Sequence, residues 1–183
     1  MDEDEQLIRA ALTPNEHLLW HGRPDPAVVF TRADAFLIPF SAVYLGFLAW
    51  VIFGAPTRPA GYLVVVEGIF AVIGLYYLVG RFLVKAVQKR RTLYALTDTR
   101  ALVLTGSSQQ SVTLSGQPVS TNKSREGEHV IVMIGQLTGR RTTNLYANTG
   151  LDFMSRNPGQ VAFFDVADVA GLEAALAAVP KAG

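Results

Sequence analysis

From Ala35 to Gly54 the chain reads AFLIPFSAVYLGFLAWVIFG, twenty residues without a charge. At about 1.5 Å per residue, a helix of that length covers roughly the 30 Å hydrocarbon core of a bilayer. Eleven of the twenty are Leu, Ile, Val or Phe. At about −0.3 to −0.6 kcal/mol each they favour insertion by roughly 3 to 7 kcal/mol. A buried core helix of a soluble protein passes the same length test, but such helices rarely run this long without a charge. Asp34 stands where an N-cap belongs, and Pro39 falls about one turn inside, where a mild kink is tolerable. The first constraint on the fold is therefore a membrane span over 35–54.

A second span is expected over 62–80, YLVVVEGIFAVIGLYYLVG, which also carries eleven strongly apolar residues. Glu67 lies inside it, at a cost of about 3 kcal/mol for an acid at mid-helix, which the apolar residues offset. The connection GAPTRPA is short and rich in Pro and Gly, as a tight helical hairpin requires. Counting from that loop places Glu67 level with about Phe47, within a turn of Tyr44. The Glu67–Tyr44 couple is the expected intramembrane polar pair, with a protonated Glu67 as the alternative. Gly46, Gly68 and Gly74 allow close helix contact. A proton-relay role for Glu67 lacks a second intramembrane acid, His or Lys, so pairing within the hairpin or with another subunit is the expectation.

Composition agrees with a membrane chain. Half of the 183 residues are hydrophobic and 17% are charged, below the usual quarter of soluble domains. The net charge of +1 gives no field for nucleic acid, and the basic residues have no interleaved aromatics. With no cysteine, disulfides, thiolate nucleophiles and cysteine metal sites are excluded. Lys and Arg are distributed unevenly about the spans. Arg58 alone lies in the loop, whereas Arg23 and Arg32 precede the first span and Arg81, Lys85, Lys89, Arg90 and Arg91 follow the second. The positive-inside rule then places both termini in the cytoplasm, in a multi-pass protein of the cytoplasmic membrane. The acidic start, Asp2 to Glu5, is the wrong charge for a cleaved leader. Residues Arg81, Lys85, Lys89, Arg90 and Arg91 are the candidate contacts to anionic lipid headgroups, at about 1 kcal/mol each.

Beyond Arg91 the pattern changes to short alternating runs. Strands are expected near Thr92–Leu96, Arg100–Thr105, Ser111–Leu114, Val119–Asn122, His129–Ile134, Thr142–Tyr146 and Val161–Val166, separated by Gly, Pro and Asn turns. The segment DVAGLEAALAAV reads as a helix capped by Asp168, with Val169, Leu172, Leu176 and Val179 on one face. Seven strands and a C-terminal capping helix are the count of a pleckstrin-homology-like (PH-like) barrel or sandwich. The expected organisation is a cytoplasmic segment 1–33, a transmembrane hairpin 34–84, a basic juxtamembrane segment 85–91 and a PH-like domain 92–180, a membrane-anchored α+β chain. Thr13-Pro14-Asn15-Glu16 has capping-box spacing, but Gly22 and Pro24 follow soon, so a short helix and an edge strand both fit 15–22. Trp20 fits either a headgroup anchor or a residue packed on the barrel.

The stretches NEHLLWHGRPDP (15–26), DAFLIPFS (34–41), RRTLYALTDTRALVL (90–104) and FFDVADVAGLEAAL (163–176) resemble those of bacterial PH-domain membrane proteins. Such proteins carry two transmembrane helices before a PH-like domain; the resemblance implies that fold and topology and little about activity. Phosphoinositide-binding PH domains place several Lys and Arg in a long loop between their first two strands. Here that loop is only Thr97 to Thr99 with Arg100 after it, so Arg100 is expected to face solvent or pair with Asp98.

Nothing in the residue pattern calls for catalysis or a cofactor. His17 and His21 are four apart but lack a third ligand at useful spacing, and no nucleophile elbow or phosphate-binding glycine loop occurs. The functional expectation is a non-enzymatic module that binds a protein or peptide partner or self-associates, with anionic-lipid sensing as the alternative and a membrane enzyme or transporter component last.

Overall fold

The computed structural model describes residues 3–31, 34–54, 61–124, 128–135 and 160–179. In chain order the elements are α1 (Glu3–Ala11), β1 (Leu18–Gly22), α2 (Asp34–Gly54), α3 (Gly61–Leu75), a π-helical turn (Tyr76–Gly80), α4 (Arg81–Arg91), β2 (Thr92–Thr97), β3 (Arg100–Thr105), β4 (Ser108–Thr113), β5 (Val119–Lys123), β6 (Val130–Gly135), β7 (Gln160–Val166) and α5 (Val169–Ala178). The described residues form two compact units, a helical one over 29–86 and a β unit from 3–28 and 87–179.

In the helical unit, α2 is apolar on every side but covers only one stripe. Leu37 and Ser41 are buried, and Tyr44, Leu45, Leu48, Val51 and Ile52 continue the stripe half-buried, at the spacing of one helix face. The remaining faces show Phe36, Phe40, Phe47, Trp50 and Phe53 to the outside, the last two 69% and 85% exposed. The second helix is the same: Val65, Ile69, Val72 and Leu75 are exposed. By length and composition, two helical runs, Asp34–Gly54 and Val64–Arg91, are long and apolar enough to cross a membrane. The two meet at Gly74, where an added Cβ would come within 2.5 Å of Leu45 and 2.7 Å of Tyr44, so only glycine permits the approach. The wide π turn after α3 closes with Arg81 N–H donating to the Tyr76 carbonyl, and the run then continues as α4.

The β unit consists of two antiparallel sheets, β1-β2-β3-β4 and β5-β6-β7. They share one core: Trp20, Tyr94, Leu96 and Val112 from the first sheet, Val132, Ile134, Val161 and Phe163 from the second, and Leu172 and Ala175 from α5. The rings of Tyr94 and Phe163 stack at 4.8 Å, and Trp20 lies 6.0 Å from Phe163. Trp20 is thus a packed residue. Its Nε1 donates to Asp168 Oδ2 at 2.8 Å, while Asp168 Oδ1 accepts from Gly171 N at 3.0 Å. The capping carboxylate of α5 is shared between the helix and the core tryptophan. Gly171 leaves room for it; a Cβ there would lie 2.1 Å from Asp168 Oδ2.

Six of the expected strands are present, with β4 starting earlier, at Ser108, and Thr142–Tyr146 lies outside the described residues. The seventh observed strand is β1, which takes the edge of the first sheet against β2. The sheets are open rather than a closed barrel. The acidic N-terminus is a helix: α1 sets Ile8 against Leu93, Ala95 and Leu102 on the outer face of the first sheet. That explains why β2 is buried along its whole length although its sequence alternates only weakly.

Replacing Phe163 by Ala is expected to lower stability by about 3–5 kcal/mol, and Trp20→Phe by about 1.5–3 kcal/mol through the lost bond to an ionised acceptor. Thermal unfolding of the solubilised chain measures both; equal small losses would contradict the packing described.

Candidate membrane-surface site

Five cations follow the second expected span, and the structure divides them. In the helical unit, Arg81 is wholly buried and forms an ion pair with Asp34, the first residue of α2. The guanidinium lies over the Phe82 ring at 4.4 Å. Asp34 is not the forward-facing cap its position suggests. Its carboxylate reaches back instead, accepting from Thr31 N at 2.5 Å and Thr31 Oγ1 at 2.7 Å. Its other oxygen, Oδ1, faces the buried Arg81 guanidinium as a counter-charge rather than the backbone donors at the helix start. Lys85, also buried, donates to the Val29 carbonyl at 2.7 Å.

Lys89 belongs to the β unit and spends three donors on three acceptors: Asp165 Oδ2 at 2.5 Å, Val28 O at 2.7 Å and Asp25 O at 2.9 Å. Asp165 holds a left-handed backbone, φ 51°, at the end of β7, a conformation that aspartate tolerates better than most residues. Its carbonyl accepts from Asp25 N at 2.9 Å. His129 Nε2 meets Asp25 Oδ2 at 2.8 Å, so residues 24–28 are tied to α4, β6 and β7 at once. The Ala27 backbone N–H, followed by His129, holds the Asp25 carboxyl below its ordinary range. Only Arg90 and Arg91 present exposed side chains.

The TDTR turn between β2 and β3 carries a second polar cluster. Arg100 does not pair with Asp98. It donates from Nε to Glu16 Oε1 at 2.8 Å and from Nη2 to Glu16 Oε2 at 2.9 Å, and Nη2 also reaches the Ala11 carbonyl at the end of α1. Thr97 Oγ1 donates to the same carboxylate at 2.8 Å. Thr13 N and Oγ1 donate to it as well, each at 2.9 Å, so the capping-box residues do bond to one another. No helix follows them, because Asn15 turns left-handed, φ 73°, and sends the chain into β1. Asp98 takes His17 instead, accepting from its backbone N–H and facing Nδ1, both at 3.1 Å. Arg100, aided by Thr13 and Thr97, holds the Glu16 carboxyl far below the usual carboxylate range, and Glu16 in turn raises Arg100. The TDTR turn is therefore a clamp on residues 11–17.

The expected Glu67–Tyr44 couple is not made in this geometry. The Tyr44 hydroxyl donates to the Phe70 carbonyl at 3.2 Å. With Gly74 seated on Tyr44 and Leu45, seven residues earlier in α3 falls level with about Val51, so Glu67 sits nearer the loop than the count from the sequence gave. His17 faces Asp98, and His21 pairs across to Ala95 within β1 and β2. Among the described residues no three His, Cys, Asp or Glu side chains gather as a metal site would need. The search of protein-family models, curated proteins and solved structures finds no match to this chain.

Lys89→Met is expected to destabilise the chain by about 3–5 kcal/mol, since it takes the ammonium away from a buried carboxylate and two carbonyls, whereas Arg90→Ala and Arg91→Ala each stay within about 0.5 kcal/mol. Denaturant unfolding of the three variants checks this; equal losses would contradict the division of the cationic stripe.

Carboxyls held low in the folded state, as Glu16, Asp25, Asp98 and Asp168 are, favour folding fully above the ordinary carboxylate values near 4. That contribution disappears as pH falls through the lowered folded values. Stability is therefore expected to drop below about pH 5, and Glu16→Gln should flatten the slope while lowering the plateau. An unchanged slope in acid titration of unfolding would contradict the Glu16–Arg100 assignment.

Proposed function

We propose that this chain is a membrane-anchored, non-catalytic module. α2 and α3 cross the membrane as a hairpin, and the β unit, a PH-like fold, stays at the cytoplasmic face to engage a protein or peptide partner. The observation that carries the reading is the uncovered apolar surface of α2 and α3. A helix that is apolar all round belongs in a core or in lipid, and these two bury only the stripe they share. Lys and Arg counted on either side of the spans favour cytoplasmic termini. The strand count, the helix at the end and the 90–104 stretch support the PH-like assignment.

A protein partner is favoured over lipid sensing by the fate of the basic stripe. Five free cations near the surface are worth about 5 kcal/mol of attraction to anionic lipid, but two are worth only about 2. Arg81, Lys85 and Lys89 are engaged internally, leaving Arg90 and Arg91 for the headgroups. The partner surface we assign is β5. It is exposed along its length and lies at the edge of its sheet among the described residues, so an extended peptide can add to it as a further strand. Tethering in the membrane raises the effective concentration of any partner held in the same plane.

The test places a photoreactive crosslinker at Ser120 or Asn122 in the full chain in native membranes. Discrete protein adducts are expected, including a doubled mass if the partner is a second copy. Adducts with lipid alone would overturn the reading in favour of a lipid-facing β unit.

A further inference from the structure

α4 is built inside out. Arg81, Lys85 and Lys89, spaced by four, are buried, while Val79, Leu83 and Val87, also spaced by four along the same helical run, are exposed, Leu83 by 66%. In water both halves of that arrangement are unfavourable, because charges lose hydration and apolar area stays wet. Phe30, 70% exposed, adds to the apolar side, its ring against Phe82 at 5.3 Å. The Asp34–Arg81 ion pair lies at the first residue of α2, where the expected span begins. Leu83 and Val87 lie two and six residues past it, about 3 Å and 9 Å along a helix. The interfacial layer outside the hydrocarbon core is about 5–8 Å thick on each side, so the stripe ends about where that layer does.

We infer that the membrane does not end at Gly80: Phe30, Val79, Leu83 and Val87 form a phospholipid-contact surface seated in the headgroup layer, with Arg81, Lys85 and Lys89 turned to the protein side. The inference rests on the anchored reading above. Phospholipid is the occupant because the stripe continues the exposed line of Val65, Ile69 and Val72 on α3 and ends at Arg90 and Arg91, which suit anionic headgroups. A parallel second copy would set those two arginines against their own kind.

The chain has no cysteine, so single nitroxide labels can be placed without removing any residue of that type. Leu83→Cys and Val87→Cys would be read in the full chain in vesicles of phosphatidylcholine with phosphatidylglycerol. Val72→Cys serves as the hydrocarbon reference and Ser111→Cys, exposed on β4, as the aqueous one. The ratio of collisions with oxygen to those with a water-soluble nickel chelate is expected to shift from the Ser111→Cys value towards that of Val72→Cys at both positions, more at 83 than at 87. Aqueous values at 83 and 87 with a lipid value at 72 would overturn this inference and leave the hairpin intact. An aqueous value at 72 would overturn both. Spectral broadening at 83 that disappears on dilution with unlabelled chain would put a second copy there instead of lipid.

Discussion

A helix that is apolar on every face must find an apolar surrounding for every face, and α2 and α3 supply one another with only a stripe each. Gly74 allows the backbones to close on Tyr44 and Leu45, and the aromatics on the far side of α2 remain uncovered. Lipid as the surrounding solvent makes sense of those faces together. It also gives meaning to the inverted α4, whose exposed Leu83 and Val87 would be out of place on a water-facing helix.

The polar groups follow the complementary rule, that a charge leaves water only with partners. Arg81 has Asp34, Lys89 has Asp165 and two carbonyls, and Glu16 has Arg100 and the hydroxyls of Thr13 and Thr97. Such pairs add little net stability over apolar packing, but removing one member is costly. Their effect here is to fix where irregular chain runs. Residues 24–28 are held by Lys89 and His129, and residues 11–17 by Arg100 and Asp98. The β unit thereby includes its N-terminal segment as a strand and a helix rather than as a tail.

Sequence pattern made the two long apolar helices, most strands and α5 legible, because each needs only its own residues to declare an apolar face. The capping role of Asp168 was legible for the same reason; that Trp20 shares it was not, since the two are 148 residues apart. α1 was missed because EDEQLIRAA shows few apolar positions, and its burial depends on a sheet face supplied by β2 and β3. The spacing of Arg81, Lys85 and Lys89 was visible, but their acceptors are largely backbone carbonyls of residues 25–29, which no side-chain pattern reveals. Arg100 was expected to face solvent or pair with the nearest acid, Asp98, whereas two-point geometry favours Glu16, 84 positions away. Tyr44 and Glu67 were matched by counting from the loop, and the close approach at Gly74 sets a different register.

Trp50 reports on the central claim most directly, because it projects from the uncovered face of α2 while the other tryptophan, Trp20, is in the β core. In a Trp20→Phe background its fluorescence can be measured in vesicles containing phospholipids brominated along the acyl chain. Strong quenching by the brominated lipid, with little by aqueous iodide, is the result expected of a lipid-embedded α2. Quenching by iodide and indifference to bromine would place that face in water and contradict the account.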